Sequence, residues 1–446
     1  MAVAPGTITT ANFAAAMKQI YPQKRVELIF YKNHPFMAKV RKRDDFYGFD
    51  SGGTMAIAVS TSPPAGGRSA AFTDAQNNLS SGIDNRFSIT RKSDYQLWQL
   101  DNEVIEASSR DVGAIMKVLK FKGDAALMNL SRNLSGNLYG NGGGARGEIA
   151  AGGITAGGLI TLANPGDIVH FEVDMTLVSA DQDGSTVVAG NIMGAAGVAY
   201  TDTISAVDRS AGTIQLAGGA IPGAGTAQAW AAGFFLFQQG DVSGPINPTA
   251  AGLVTGNMVT GLAGWLPTVA PVLGADTFFG LDRGTDPTRL AGSRFNGVGL
   301  PIEESLKRIS TLIVRNGGRP DTVFLNPIDY ERLELSLEGR ARFETMTTQV
   351  GGKRSATVGF DSMIITTTAG KANVIADVDC PQGRGFMLQM DTWEMHHLKG
   401  LPHLLTRGAG DGGGRMVQNA DSVEFRAVYR GNLACTAPGY NGVVTL

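Results

Sequence analysis

An α+β fold, interrupted by an inserted β-barrel or sandwich, is what three features of this sequence predict. Helical periodicity dominates two stretches, a long one over Asp101–Tyr139 and a shorter one over Pro301–Arg315. Strand-like runs rich in β-branched residues crowd the chain beyond Gly359 and, with the second helical stretch, form an α/β unit. Between the helical regions, from about Ile149 to Trp265, short alternating strands are separated by Gly, Asp and Asn turns with almost no helix signal. Glycine, 60 residues in all, concentrates between about residue 136 and residue 300 and again near residue 410. That points to tight turns in a β-rich middle.

The bulk properties exclude several function classes. A chain of 446 residues is long enough for two or three domains with real cores. Lys and Arg number 38 against 40 acids, so no global field recruits nucleic acid or an anionic membrane. Cys380 and Cys435 form no CxxC pair, which makes them buried free thiols rather than a disulfide framework or a zinc site. MAVAPGTITTANFAAAMKQIY at the N-terminus lacks the basic and apolar regions of a secretory signal, and no apolar run reaches membrane-spanning length.

The elements follow in order. Ala11–Tyr21 reads as a short helix in an otherwise free arm that ends on the basic run Lys39–Arg43. From Phe46 to Lys92 the strands TMAIAVS (Thr54–Ser60) and RFSITRK (Arg86–Lys92) flank a polar centre, the pattern of a long hairpin. A two-stranded ribbon is marginal alone in water, so this one must lie on something else. The helical pattern of Asp101–Tyr139 breaks near Ser108-Ser109 and then runs about thirty residues, roughly 40 Å at 1.5 Å per residue. Its apolar stripe is Val112, Ile115, Met116, Leu119, Ala126, Leu127, Leu130 and Leu134, with Lys117, Lys120, Lys122, Asp124 and Arg132 mostly opposite. Gly123 inside it costs about 1 kcal/mol against alanine, which suggests close packing at that point.

After the β-rich middle, Ile302, Leu306, Ile309 and Ile313 make the stripe of the next helix. Gly317 suits a helix C-cap with positive φ, and Thr322–Leu325 is a short strand. Asn326 then caps a following helix, Pro327 fills its first turn, and Asp329 favours its positive end. In an α/β enzyme that strand-to-helix step carries phosphates or nucleophiles, but here it has neither a glycine cradle nor a nucleophile elbow.

Candidate chemistry is sparse elsewhere. His396-His397 are adjacent in a strand and point to opposite faces, a poor arrangement for one metal, and His34, His170 and His403 show no ligand spacing. The glycine run Gly140–Gly147 follows a helix, whereas a phosphate loop needs strand, loop and helix in that order. It and Asp411–Arg415 read as flexible connections. The Lys39–Arg43 cluster is followed directly by Asp44 and Asp45, which fits an arm pairing with acids of a neighbouring chain as well as it fits nucleic acid. Asp282–Arg283 and Asp208–Arg209 are ordinary turn pairs. No catalytic, cofactor-binding or metal residue is assigned, and the chain reads as no enzyme. What remains is shape: an arm, a dependent ribbon, a long helix, an α/β core and a β insertion, which bury spare surface against copies of the same chain.

That order, and several specific runs, resemble tailed-bacteriophage major capsid proteins of the Hong Kong 97-type fold. The runs are SITRKSDYQLWQLDNEVIEAS, FFGLDRGTDPTRLAG, NGGRPDTVFLNPIDYERL and the closing YRGNLACTAPGYNGVV. The resemblance covers most of the chain outside about residues 150–265. It implies an N-terminal arm at 1–45, an extended loop at 46–93, and a peripheral domain with its spine helix at 94–144. The inserted domain is then 145–270, the axial domain 271–380, and the strands at 381–446 return to the axial and peripheral domains. It further implies self-assembly as hexamers and pentamers into an icosahedral virion shell around double-stranded DNA, touched weakly and non-specifically. Assembly would take place in the bacterial host cytoplasm with no membrane and no cofactor. A scaffolding protein, a portal and a decoration protein are the partners implied.

Two departures qualify the resemblance. Gly52–Asp84 contains no lysine, so the covalent isopeptide cross-link of the type member is not expected. No long charged helical region precedes the arm, so an internal scaffolding segment is absent or already removed, and a separate scaffolding protein could do that work. An encapsulin-like nanocompartment shell is the alternative with the same fold, although those chains are shorter and lack a large β insertion. A hydrolase with a β accessory domain would need a nucleophile constellation that is missing. The arm and ribbon are expected on neighbouring subunits, and the insertion is expected to project outward as an independent module tied by glycine linkers.

Overall fold

The computed structural model describes residues 7–8, 34–45, 53–62, 67–80, 82–103, 118–155, 157–185, 190–195, 197–226, 229–246, 252–338, 348–350, 353–355, 363–368, 370–399, 402–405, 414–417 and 420–446. Three β structures organise them. The first is a sheet built on the long strand Ser422–Cys435, which pairs antiparallel with Lys92–Asp101 over ten positions, from Ser422↔Asp101 to Gly431↔Lys92. On its other side it pairs with Trp393–His397, and that strand in turn takes Arg41–Arg43 in parallel. Thr7–Ile8 adds a short parallel edge at Gln99 and Leu100.

The second is a six-stranded mixed sheet in the order Ser293–Asn296, Gly442–Thr445, Arg384–Leu388, Thr322–Leu325, Gly370–Ala376, Met363–Thr367. Every residue of Thr322–Leu325 is buried because both faces of this sheet are covered, which is why the strand reads as an unbroken apolar run. One face takes the helix Ile302–Arg315, whose Ile302, Leu306, Ile309 and Ile313 pack with Val323, Leu325, Val374 and Met387 as the spacing predicts. From the other face Phe324 and Phe386 reach the main core, where they meet Phe36, Tyr139, Trp265, Trp393 and Tyr429.

The third is a closed barrel, which decides between the two β architectures expected for the insertion. Its six strands run in the order Thr201–Asp208, Thr213–Leu216, Leu159–Leu162, Gly147–Thr155, Phe235–Gln238, Thr176–Ala180. Ile160, Leu162, Ile214 and Leu216 alternate inward, and Ile149, Phe171, Leu177, Ile204, Trp230 and Leu236 complete the filling.

Several expectations need correction. Asp101 ends the strand Lys92–Asp101, and helix follows it directly: Asn102 and Glu103 are helical, with the Glu103 amide donating to Asp101 Oδ1 at 3.1 Å. The described helix is Val118–Tyr139, and residues 104–117, with Val112, Ile115, Met116 and the Ser108-Ser109 break, lie outside the described residues. Ala126, Leu130 and Leu134 are buried as expected, but so is Arg132, which finds Glu172 of the barrel region. A Cβ on Gly123 would meet the Trp98 ring at 3.7 Å, an ordinary contact, so among the described residues no close approach requires glycine there.

The arm is not free over residues 34–45, because Phe36 and Val40 belong to the main core; the helix expected over Ala11–Tyr21 lies outside the described residues. Nor does the ribbon depend wholly on a neighbour. Thr54–Ser62 and Ile83–Thr90 pair as expected, and Phe87 and Ile89 are fully buried in the chain's own core.

The glycine run is not a flexible connection either. Gly142 and Gly144 hold φ of 89° and 85°, and a Cβ on Gly143 would lie 1.9 Å from the Asp183 carbonyl oxygen. Backbone passes backbone there, which only glycine permits. In the second run, residues 411–413 lie outside the described residues. Gly414 packs on Val423 and Phe425, and Arg415–Met416 pairs directly with Glu424 and Val423.

Candidate assembly surfaces and the junction behind them

The strand-to-helix step at Asn326 is occupied after all, by structural bonds. Asn326 Oδ1 accepts from the Ile328 amide at 3.1 Å, the expected cap, while its Nδ2 donates to the Cys380 carbonyl at 2.8 Å. Asp329 is fully buried, and its Oδ2 accepts from the Gly383 amide at 2.7 Å. Both side chains therefore grip the 377–383 turn.

That turn carries a polar junction which the sequence reading missed. Asp379 Oδ2 accepts from Ser135 Oγ at 2.6 Å and lies 2.9 Å from His34 Nδ1. Asp377 Oδ2 accepts from Tyr139 Oη at 2.8 Å and from the Phe36 amide at 3.1 Å. Two carboxylates thus tie residues 34–36, the C-terminal turn of the long helix and the six-stranded sheet into one node. The only local signal is the pair of acids in ANVIADVD, following an apolar strand.

The node is built for rigidity. Burial, then the neighbouring Asp379, pushes the Asp377 carboxyl above its ordinary range. Burial pushes the Tyr139 hydroxyl and the Cys380 thiol well up, so Cys380 is no thiolate at neutral pH. Cys380 and Cys435 are both free and buried.

A second set of bonds docks the barrel on the body. The Arg146 guanidinium donates to Asn133 at 2.6 Å, to Gln238 at 2.8 Å and to Asp241 at 3.1 Å, joining helix to barrel wall. Asn133 also donates to Asp94 at 2.7 Å. Glu172 pairs with both Arg132 and Arg209. Arg209 additionally holds the carbonyls of Ile168 and Phe171, while Asp208 accepts from the amides of Ser210 and Ala211, so this pair builds a turn. Arg283 is likewise structural: it is buried, chelates Asp276, donates to the Gly264 carbonyl at 2.7 Å and stacks 3.9 Å over Phe278.

The basic run finds its acids within the chain. Arg41 and Arg43 both reach Glu394, at 3.3 Å and 2.8 Å, across the parallel strand pair. His396 Nδ1 sits 2.5 Å from Asp45, and His397 Nδ1 is 3.6 Å from Asp44. The two histidines therefore face different acids. His34 belongs to the junction, His403 lies on a short strand paired with Val428, and burial depresses His170 to about 4. Among the described residues no group of three or more His, Cys, Asp or Glu side chains is placed to hold a metal.

Among the described residues large apolar side chains are exposed at several places, and two of these groups lie close together along the chain. At the far end of the ribbon, around the short helix Phe72–Asn77, Phe72 is 79% and Leu79 76% exposed. On the body, Val269, Val272 and Leu273 stand out of the loop that rims a groove of about 650 Å³, floored by Leu266, Phe278 and Phe386. Patches of this kind mark contact sites.

No protein-family model matches the sequence, and no curated protein is detectably similar to it. Solved structures do resemble it. The capsid asymmetric unit of cyanophage A-1(L) aligns with a TM-score of 0.52 at 12% identity, over 95% of this chain and 96% of that one. The capsid of an empty GTA particle aligns with a TM-score of 0.47 at 8% identity, over 98% and 99% of the two chains. The holo-SrpI encapsulin complex from Synechococcus elongatus PCC 7942 gives 0.43 at 7% identity, over 97% and 94%. Across nearly its whole length, the chain has the fold found in the cyanophage capsid.

Proposed function

We propose that this chain is the major capsid protein of a tailed bacteriophage. It self-assembles as hexamers and pentamers into the icosahedral shell of the virion, around double-stranded DNA. The observation that carries this reading is the match to a cyanophage capsid chain over 95% of this chain and 96% of that one. The division expected from the sequence supports it. The ribbon of 46–93 acts as the extended loop, the long helix belongs to the peripheral domain, and the six-stranded sheet with its two helices forms the axial domain. The role is structural and calls for no catalytic, cofactor or metal site. Assembly takes place in the host cytoplasm, with a scaffolding protein, a portal and a decoration protein as partners.

The ribbon's root packs in its own subunit's core while Phe72 and Leu79 at its far end are exposed, which supports contact between neighbours. The barrel, docked by neutralised polar bonds, faces outward, away from the packaged DNA. Imaging of particles formed by the expressed chain tests this, together with analysis of their contents. Closed shells that recover nuclease-protected DNA when made in an infected host support the capsid reading. Closed shells filled with a protein cargo would assign the chain to an encapsulin-like nanocompartment instead.

A further inference from the structure

Phe279 holds a backbone conformation that aromatic residues rarely adopt. Its φ is 48°, and Gly280 follows at 80°. These two residues close the turn between Thr277–Phe278 and Leu281–Asp282, in which Phe278 pairs with Leu281. Two consecutive positive φ values define a hairpin turn that favours Asn-Gly and disfavours a bulky first residue. The other described non-glycine residue with positive φ is Asp174, a type that tolerates it.

The ribbon is what this turn touches. The Phe279 carbonyl accepts from the Ser88 amide at 2.8 Å, and Ser88 lies between the buried Phe87 and Ile89. The Phe279 ring packs 4.4 Å from Phe278 and 5.5 Å from Trp265, and those two rings also contact Phe87, at 6.3 Å and 5.1 Å. A Cβ on Gly280 would meet only Ser88 Oγ, at 4.0 Å, so glycine is needed there for its φ and not for space. A strained residue persists only where its surroundings over-determine it, and here the surroundings are the docked ribbon.

We propose that the Phe279–Gly280 turn is a conformational latch on the ribbon. Its left-handed form presents the carbonyl that docks Ser88, and it is held in that form by the docked ribbon. Lifting the ribbon lets the turn relax, and a relaxed turn no longer offers that carbonyl, so the ribbon has two defined states rather than a continuum. Its consequence for shell geometry rests on the capsid reading, but the latch itself is a property of the unassembled chain and is tested there.

Hydrogen exchange of the full-length unassembled chain provides the test. In the wild type, the Arg86–Thr90 amides open without the rest of the core, exchanging faster than those of Thr322–Leu325. Gly280→Ala, which strains the turn while leaving every ring in place, speeds exchange at Ser88 about tenfold and leaves Thr322–Leu325 unchanged. Phe279→Asn suits the left-handed position and retains Ser88 protection despite losing the ring. The proposal is overturned if Ser88 opens only with global unfolding or if Gly280→Ala leaves it protected. Phe279→Asn exposing Ser88 would equally overturn it, since ring packing rather than turn geometry would then hold the ribbon.

Discussion

Asp167 and His170 lie on one short 3-10 helix at the edge of the barrel and respond to pH in opposite directions. Burial pushes Asp167 up to about 7, against the opposing pull of Arg384, and burial takes His170 down to about 4. Asp94, buried and close to Asp241, is pushed up to about 6. A carboxyl with a raised value holds its proton longer in the folded chain. The stability it contributes is full below the ordinary carboxylate value and is lost as pH rises through 6 to 7. His170 contributes stability above its ordinary 6.5, lost as pH falls toward 4. Thermal melts should therefore show Asp167→Asn more stable than wild type at pH 8, with the advantage gone near pH 4. A constant advantage across that range would mean that Asp167 does not titrate there.

Two glycines separate at the same scale. Gly143→Ala drives a methyl into the Asp183 carbonyl and should cost several kcal/mol, beyond an ordinary point change. Gly123→Ala, in a helix with room for the methyl, should stabilise by about 1 kcal/mol. Denaturant unfolding of the two variants reads both, and a destabilised Gly123→Ala would reveal a close packing partner at that helix face.

Among the elements, the ribbon divides into a root that belongs to the fold and a tip that does not. Replacing Phe72 and Leu79 by Asp should leave the melting profile of the subunit unchanged and abolish closed shells in electron micrographs. Removing the whole of Ser51–Asp84 should leave a folded but less stable subunit that does not assemble, because Met55, Ile57 and Val59 leave the main core with it. Closed shells from either variant would remove the ribbon from the assembly contacts.

How far these elements could be read from sequence follows from how local their causes are. Ile302–Arg315, Thr322–Leu325 and the Asn326 cap carry their reasons within a few residues and stand as expected. Residues 93–100 carry no strand reading in the sequence, because the partner of Lys92–Asp101, Ser422–Cys435, lies far away along the chain. The barrel's strands showed in their alternation, but whether they closed did not, since closure depends on the pairing of Thr201–Asp208 with Thr176–Ala180. Asp377 and Asp379 look like loop acids until the partners from residues 34–36 and the long helix arrive.

For the whole molecule, cross-linking and protease resistance are the measurable properties. With no lysine in Gly52–Asp84 and both cysteines buried and free, particles boiled in detergent should run as a single monomer band. A ladder that survives reductant would point to an unrecognised cross-linking residue. The packed glycine run also revises where a protease should cut. Gly140–Gly147 sits against Asp183 and Gly256 and should resist cleavage, where a loose linker would be cut first.

The path of the chain through the six-stranded sheet constrains the timing of its own synthesis. Gly442–Thr445 lies second in that sheet, between Ser293–Asn296 and Arg384–Leu388, and its Val443 and Val444 fill opposite cores. Among the described residues Ser293–Asn296 has no other partner in the sheet, so it must wait for Gly442–Thr445. While the ribosome is still translating, the ribbon, helix and barrel can already be outside, but the two cores remain open on one side. On the capsid reading proposed above, a chain terminated before residue 442 leaves both cores open and offers its neighbours no complete docking surface.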